Sequence, residues 1–129
     1  MSDIVVVHSD QAPKAVGPYS QAVAHAGILY TSGQIGLVPE TGRLVADDVE
    51  SQGRQVMQNL SAVLDVAGVE LLDILKVNIF LTDMGDFPRV NEIYAVWLAE
   101  HRPARATVAV AALPLGAKVE MDLIARIPE

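Results

Sequence analysis

Residues 103–126, PARATVAVAALPLGAKVEMDLIAR, hold two strand patterns around a turn. Arg105 to Ala111 is the first and Lys118 to Arg126 the second, with Pro114 and Gly116 punctuating the break. Successive side chains on a strand point to opposite faces. In the second strand this separates apolar Val119, Met121, Leu123 and Ala125 from Lys118, Glu120, Asp122 and Arg126. In the first it separates Ala106, Val108 and Val110 from Arg105, Thr107, Ala109 and Ala111. With helices covering the apolar face, Arg105 and Glu120 are expected together on the uncovered one, among small residues that leave room for a ligand. If the strands pair as a hairpin, keeping the polar faces together sets Arg105 opposite Ile124, with Glu120 about 13 Å along. The same pattern fits a solvated surface pair, or a structural ion pair at a subunit contact.

Upstream, the pattern alternates between strands and helices. Ile4–Val7 reads as a short strand, and Asp10–Tyr19, with Pro13, Gly17 and Pro18, as a loop. Gln21–His25 and Ile28–Ser32 form two strands around Ala26-Gly27, and Gly33–Arg43 a second loop. A helix follows, capped by Asp47 or Asp48 and closed by Gly68. Its apolar stripe is Val49, Val56, Met57, Leu60, Val63, Leu64 and Ala67, with Gly53 on the stripe and Gln52, Gln55, Gln58 and Asp65 on other faces. Ile74–Thr82 alternates as a strand, with Leu75, Val77, Ile79 and Leu81 on one face. A second helix starts at Asp86, carries Pro88 in its first turn, buries Phe87, Val90, Ile93, Tyr94, Trp97 and Leu98, and stops at Pro103. The expected order is β-β-β-α-β-α-β-β, an α+β layer in one domain spanning 1–129, with two helices on one sheet face.

Composition narrows the function classes. The chain has 129 residues, a net charge of -7 and no cysteine, which excludes disulfides, thiol nucleophiles and thiolate metal sites. Its nine basic residues are scattered, so a nucleic-acid partner is not expected. No stretch has the ~20 apolar residues of a membrane helix, and MSDIVVVHSD lacks the marks of a leader, so the expected setting is cytoplasmic. Half of the residues are hydrophobic, more than so short a chain readily buries, which points to contacts between subunits.

Several blocks of sequence resemble one known family. Pro103–Val110, Leu113-Pro114 and Val119-Glu120-Met121 are similar to the C-terminal signature of the reactive-intermediate deaminase (RidA, or YjgF) family. Ala12–Ala22, Thr31–Gly36, Asn59-Leu60 and Val90–Tyr94 resemble its other motifs in order. The resemblance implies a chorismate-mutase-like α+β fold with mixed sheet, a homotrimer with sites between subunits, and no cofactor or metal. It implies hydrolysis of 2-iminobutanoate, 2-iminopropanoate and related enamines to 2-oxo acids and ammonia. Arg105 matches the family's carboxylate anchor and Glu120 the acid associated with the hydrolytic water. Tyr19, Ser32, Gly33 and Asn91 match other residues lining the site. Position 107 departs from the family, carrying Thr107 where many members have cysteine, and the family contact there is chiefly the backbone N–H.

The residue types suit that chemistry. A guanidinium grips a planar carboxylate through two parallel N–H donors, which lysine cannot reproduce. A fixed carboxylate places the adjacent C=N carbon for attack by water. Glu120 can take a proton from that water and return one to departing ammonia. Three other readings fit the sequence: a relative specialised to another small acid such as aminoacrylate, a non-catalytic metabolite-binding regulator, and a ribonuclease or translation inhibitor, which the acidic charge disfavours. His8, His25 and His101 lack metal-ligand spacing, and no G-x-S-x-G elbow surrounds Ser20 or Ser32.

Overall fold

The computed structural model describes residues 3–129; Met1 and Ser2, which open the segment read as no leader, lie outside them. Nine regular elements follow in the order β1 (Val5–Val7), β2 (Ala22–His25), β3 (Ile28–Thr31), β4 (Gln34–Ile35), α1 (Val49–Ala67), β5 (Ile74–Leu81), α2 (Phe87–Leu98), β6 (Ala104–Ala109) and β7 (Val119–Arg126). Both helices lie on one face of a mixed sheet, the α+β arrangement expected from sequence. No described helix is long and apolar enough to cross a membrane.

The helix α1 forms where its end signals place it. The Asp48 carboxylate accepts the Ser51 N–H at 2.8 Å, and Gly68 closes the helix at φ 72°, a left-handed conformation that costs glycine little. Its stripe of Val56, Leu60, Val63 and Leu64 is solvent-free, as are Val77, Ile79 and Leu81 of β5 and Val119, Met121, Leu123 and Ala125 of β7. Each of the valine, leucine, isoleucine and methionine side chains among them contributes roughly 1.5–3 kcal/mol by leaving water. Gln52, expected on a polar face, is instead buried at 1% exposure. Its amide donates to the Ala46 carbonyl at 2.9 Å and accepts the Lys118 N–H at 2.8 Å, tying α1 to the start of β7.

Four local expectations are corrected. The segment 33–43 is not all loop: Gln34 and Ile35 form β4 against Met121 and Glu120 of β7. Leu75 is 45% exposed, because a bulge between Ile74 and Lys76 shifts the alternation and buries Ile74 in its place. The helix α2 ends at Leu98, before Pro103 is reached. Ala99 turns to φ 54°, and the Arg102 guanidinium donates to the Ala99 and His101 carbonyls just past the helix end. Finally, β6 and β7 do not form a hairpin. The sheet order is β1-β2-β3-β7-β5-β6, with β5 between them, antiparallel to β7 and parallel to β6. The chain leaves β5, crosses through α2 and returns as β6 alongside, as a parallel crossover requires.

That order reverses one face assignment. Val77, Ile79 and Leu81 stand level with Arg105, Thr107 and Ala109, and neighbours in register share a face. Arg105 and Thr107 therefore lie on the helix side of the sheet. Glu120, level with Phe80, lies on the open side, where Asn78 donates to Asp122 at 2.8 Å.

Two glycines set how closely α1 approaches its neighbours. A Cβ at Gly36 would fall 2.8 Å from both the Cα and the carbonyl oxygen of Gln52, backbone atoms that cannot turn aside. One at Gly53 would meet only the end of the Ile93 side chain, 2.6 Å from Cδ1. Gly36→Ala is expected to destabilise by about 1–3 kcal/mol in denaturant titration. Gly53→Ala is expected to cost under ~1 kcal/mol, because Ile93 can change rotamer and alanine is the better helix former.

Candidate active site in two halves

The sequence-predicted residues divide between two cavities. The larger, about 690 Å³, lies on the open side and is lined by Tyr19, Gly33, Glu120 and apolar Leu37 and Leu115, among others. The smaller, about 500 Å³, is lined by Asn91, Tyr94, Ala95, Arg102, Pro103 and Arg105. Through β5, Arg105 is level with Leu123, three residues from Glu120 along β7. The two Cα positions are thus about 10 Å apart along the strands and about 9.6 Å across them. With the side chains on opposite faces, Arg105 and Glu120 of one chain do not converge, contrary to the sequence expectation.

The carboxylate half is built on a break in the sheet. The strands β3 and β4 both pair with the same edge of β7, leaving Ser32 and Gly33 between them. At the break the Leu123 N–H donates to the Thr31 hydroxyl at 3.0 Å instead of to a strand carbonyl. The Ser32 hydroxyl donates to the Ser20 carbonyl at 2.5 Å, and the Ser32 N–H to the Gln21 carbonyl at 2.9 Å. That hydroxyl is committed to bracing the loop. Gly33 lets Glu120 approach: a Cβ there would lie 2.5 Å from Glu120 Oε2 and 2.8 Å from its Cδ. Glu120 is half-buried. Burial pushes its carboxyl above the usual glutamate range, and the nearby negative Asp122 adds to the effect.

Buried amides hold the loops around this cavity, and the sequence reading gave none of them that role. Gln21 accepts the Ser9 N–H at 2.6 Å and donates to the Ser9 and Pro13 carbonyls at 3.1 and 2.8 Å, pinning the loop that leads to Tyr19. Asn59 donates to the Ile35 and Leu37 carbonyls at 3.3 and 2.9 Å. Their sequence signal is an amide at a position otherwise destined for the core. A second signal is Pro114-Leu115-Gly116, where Leu115 adopts φ 57° and sets its side chain at the cavity.

The arginine half rests on α2. Arg105 Nη1 donates to Asn91 Oδ1 at 2.7 Å, and its guanidinium lies over the Phe87 and Tyr94 rings. Burial raises the Tyr94 phenol above its ordinary pKa, with the Arg105 and Arg102 charges pulling the other way. Thr107, two residues further on the same face, keeps a buried hydroxyl oxygen without a partner among the described residues.

The geometry defines a small α+β protein with a cationic cavity under its helices and an acidic cavity on its open sheet face. Residues 9–127 match the family model described as Endoribonuclease L-PSP, and the chain belongs to this family, which includes the reactive-intermediate deaminases of the Rid group. It is 54% identical over 121 residues to protein DfrA of Myxococcus xanthus, covering 92% of each chain. It is 44% identical over 127 residues to the 2-iminobutanoate/2-iminopropanoate deaminase of Mus musculus, covering 97% of this chain and 94% of that one. The crystal structure of the Rid-family protein YyfA from Yersinia pestis, of unknown function, has a TM-score of 0.95 at 48% identity, covering 97% of this chain and all of that one. The family and its chorismate-mutase-like fold are those the sequence motifs led us to expect.

Gly33→Ala is expected to leave folding nearly intact, because the Glu120 side chain can swing away. The Glu120 carboxyl, followed by carbon NMR, should then titrate nearer the ordinary glutamate value as the displaced group gains solvent. A titration identical to wild type would show that Gly33 does not set the position of Glu120.

Proposed function

We propose that the protein hydrolyses small 2-imino acids, of the 2-iminobutanoate and 2-iminopropanoate kind, at sites assembled between copies of the chain. One observation carries the reading: Arg105 and Glu120 occupy opposite sheet faces, each at its own cavity, so a second copy is needed to bring them together. The name of the mouse relative supports the substrate class. The exposed edge of β6 and the uncovered face bearing Tyr30 and Val108 support association, and we take the assembly to be a homotrimer.

In this reading Arg105 of one copy grips the substrate carboxylate, with Asn91 holding the guanidinium. Glu120 of a neighbour takes a proton from water as the oxygen bonds to the imine carbon. Glu120 returns that proton to nitrogen, then carries the proton of the new hydroxyl to the amine as the carbonyl forms and the C–N bond breaks, so that a 2-oxo acid and ammonia leave. The raised carboxyl of Glu120 suits both directions of transfer. Tyr19 and Gly33 line the neighbour's side of the substrate, Ser32 braces that wall, and the Thr107 backbone N–H adds a donor beside Arg105. No cofactor or metal enters. An enamino acid such as aminoacrylate would use the same anchor. A pure carboxylate sensor would need Arg105 but not a half-buried acid.

Arg105→Ala and Arg105→Lys are each expected to lose at least ~100-fold in imine hydrolysis, measured with a dehydratase acting on threonine as the imine source. Glu120→Gln should lose about 10²–10⁴-fold while still binding 2-oxobutanoate. Co-refolding Arg105→Ala with Glu120→Ala in equal amounts should restore both groups in about a quarter of the sites. Mixed assemblies with no regained activity would place both groups in one chain's site.

The pH dependence follows from the sign of the Glu120 shift. The base works ionised, and its raised pKa keeps it protonated to higher pH. The acid limb of the rate profile should therefore lie above the ordinary glutamate value of 4.5. Asp122→Asn removes a negative neighbour, so the limb should move to lower pH.

A further inference from the structure

Phe87, Asn91 and Tyr94 occupy positions i, i+4 and i+7 of α2, so they lie along one helix face over about 10 Å. All three meet Arg105. The guanidinium carbon stands 5.3 Å from the Phe87 ring centroid and 5.1 Å from that of Tyr94, both within the ~6 Å at which a cation is drawn to an aromatic face. Asn91 Oδ1 accepts from Nη1 at 2.7 Å. Arg105 is exposed, yet three contacts hold its end. Tyr94 is 6% exposed, and its hydroxyl is buried with no partner among the described residues. A buried hydroxyl without a partner contributes nothing favourable, so what this side chain offers Arg105 is its ring face.

We propose that Phe87 and Tyr94 are positioning residues whose rings bracket the Arg105 guanidinium, so that its free N–H edge faces an incoming carboxylate before the ligand arrives. The proposal rests on the reading of Arg105 as the carboxylate anchor. A long exposed arginine ordinarily loses rotamer freedom when it captures a ligand; a bracketed one has lost that freedom already, and affinity rises accordingly. Leucine at either position would fill space without offering a negative π face.

The test uses the assembled protein with Phe87→Leu, Tyr94→Leu and Tyr94→Phe, and Val90→Ala as a comparison. Val90 is buried in the same helix, so its truncation lowers stability without touching Arg105. The first readout is the Arg105 Nε–H proton resonance without ligand, assigned by its loss in Arg105→Lys. Ring currents should shift it upfield in wild type, Tyr94→Phe and Val90→Ala, and release it in the two leucine variants. The second readout is calorimetric binding of 2-oxobutanoate. Kd should rise roughly 3- to 30-fold in each leucine variant and stay near wild type in Tyr94→Phe and Val90→Ala. The bracket is overturned if the resonance is unmoved in the leucine variants, if their Kd equals wild type, or if Tyr94→Phe binds as weakly as Tyr94→Leu. Wild-type protein that shows the upfield shift but binds no 2-oxobutanoate would overturn the anchor reading of Arg105, and with it the role given to the rings. A wild-type resonance without the shift would overturn the bracket alone.

Discussion

Strand β5 is the constraint on which the rest depends. Its two edges are taken by β7, antiparallel, and β6, parallel, and its Val77, Ile79 and Leu81 are solvent-free beneath the helices. Because β6 must stand beside β5 in register, Arg105 inherits the face of Val77 and comes to rest against α2. Because β7 pairs on the other edge with Phe80 level with Glu120, the carboxylate is directed to the open face. A one-residue slip in either ladder would exchange the faces. In the β5–β7 ladder it would also expose the apolar row of β7, so core burial enforces the register that directs Glu120 to the open face.

Around this sheet, polar groups rather than extra apolar volume define the loops. Gln21, Gln52 and Asn59 are buried, each satisfying two or more backbone groups that loops would otherwise leave without partners. Such bonds contribute modestly when made and cost about 1–3 kcal/mol per group when broken. Their consequence is geometric. They fix Pro13, Ile35 and Leu37, which line the cavity beside Glu120, and tie the turn before α1 to the start of β7.

The two half-sites differ in electrostatic condition. Arg105 is satisfied within its own chain by Asn91 and two aromatic faces. Glu120 is half-buried beside another carboxylate, and its ionised form is disfavoured. In the assembly we propose, these conditions are complementary. The held cation receives the substrate's carboxylate, while the acid keeps a proton affinity suited to exchange with water and nitrogen.

The sequence by itself determined the helices, the alternation of β7 and the family. Those signals are local: an Asp48 cap, a Gly68 stop, apolar residues at helical spacing, and motifs such as Pro103–Val110 that hold their residue order whatever the fold. It also singled out Arg105 and Glu120. It misplaced Gln52, whose polarity hid a buried bridge, and Leu75, whose face depends on a bulge. It also joined β6 to β7, because adjacency in sequence is a fair guide to pairing only where no crossover intervenes. Tertiary structure alone decided that β5 lies between them and that Arg105 belongs to the helix face. The physical reason is that alternation fixes which side chains share a face within a strand. Which face is buried is set by the neighbour whose backbone hydrogen bonds that strand completes, and that neighbour lies far away in sequence.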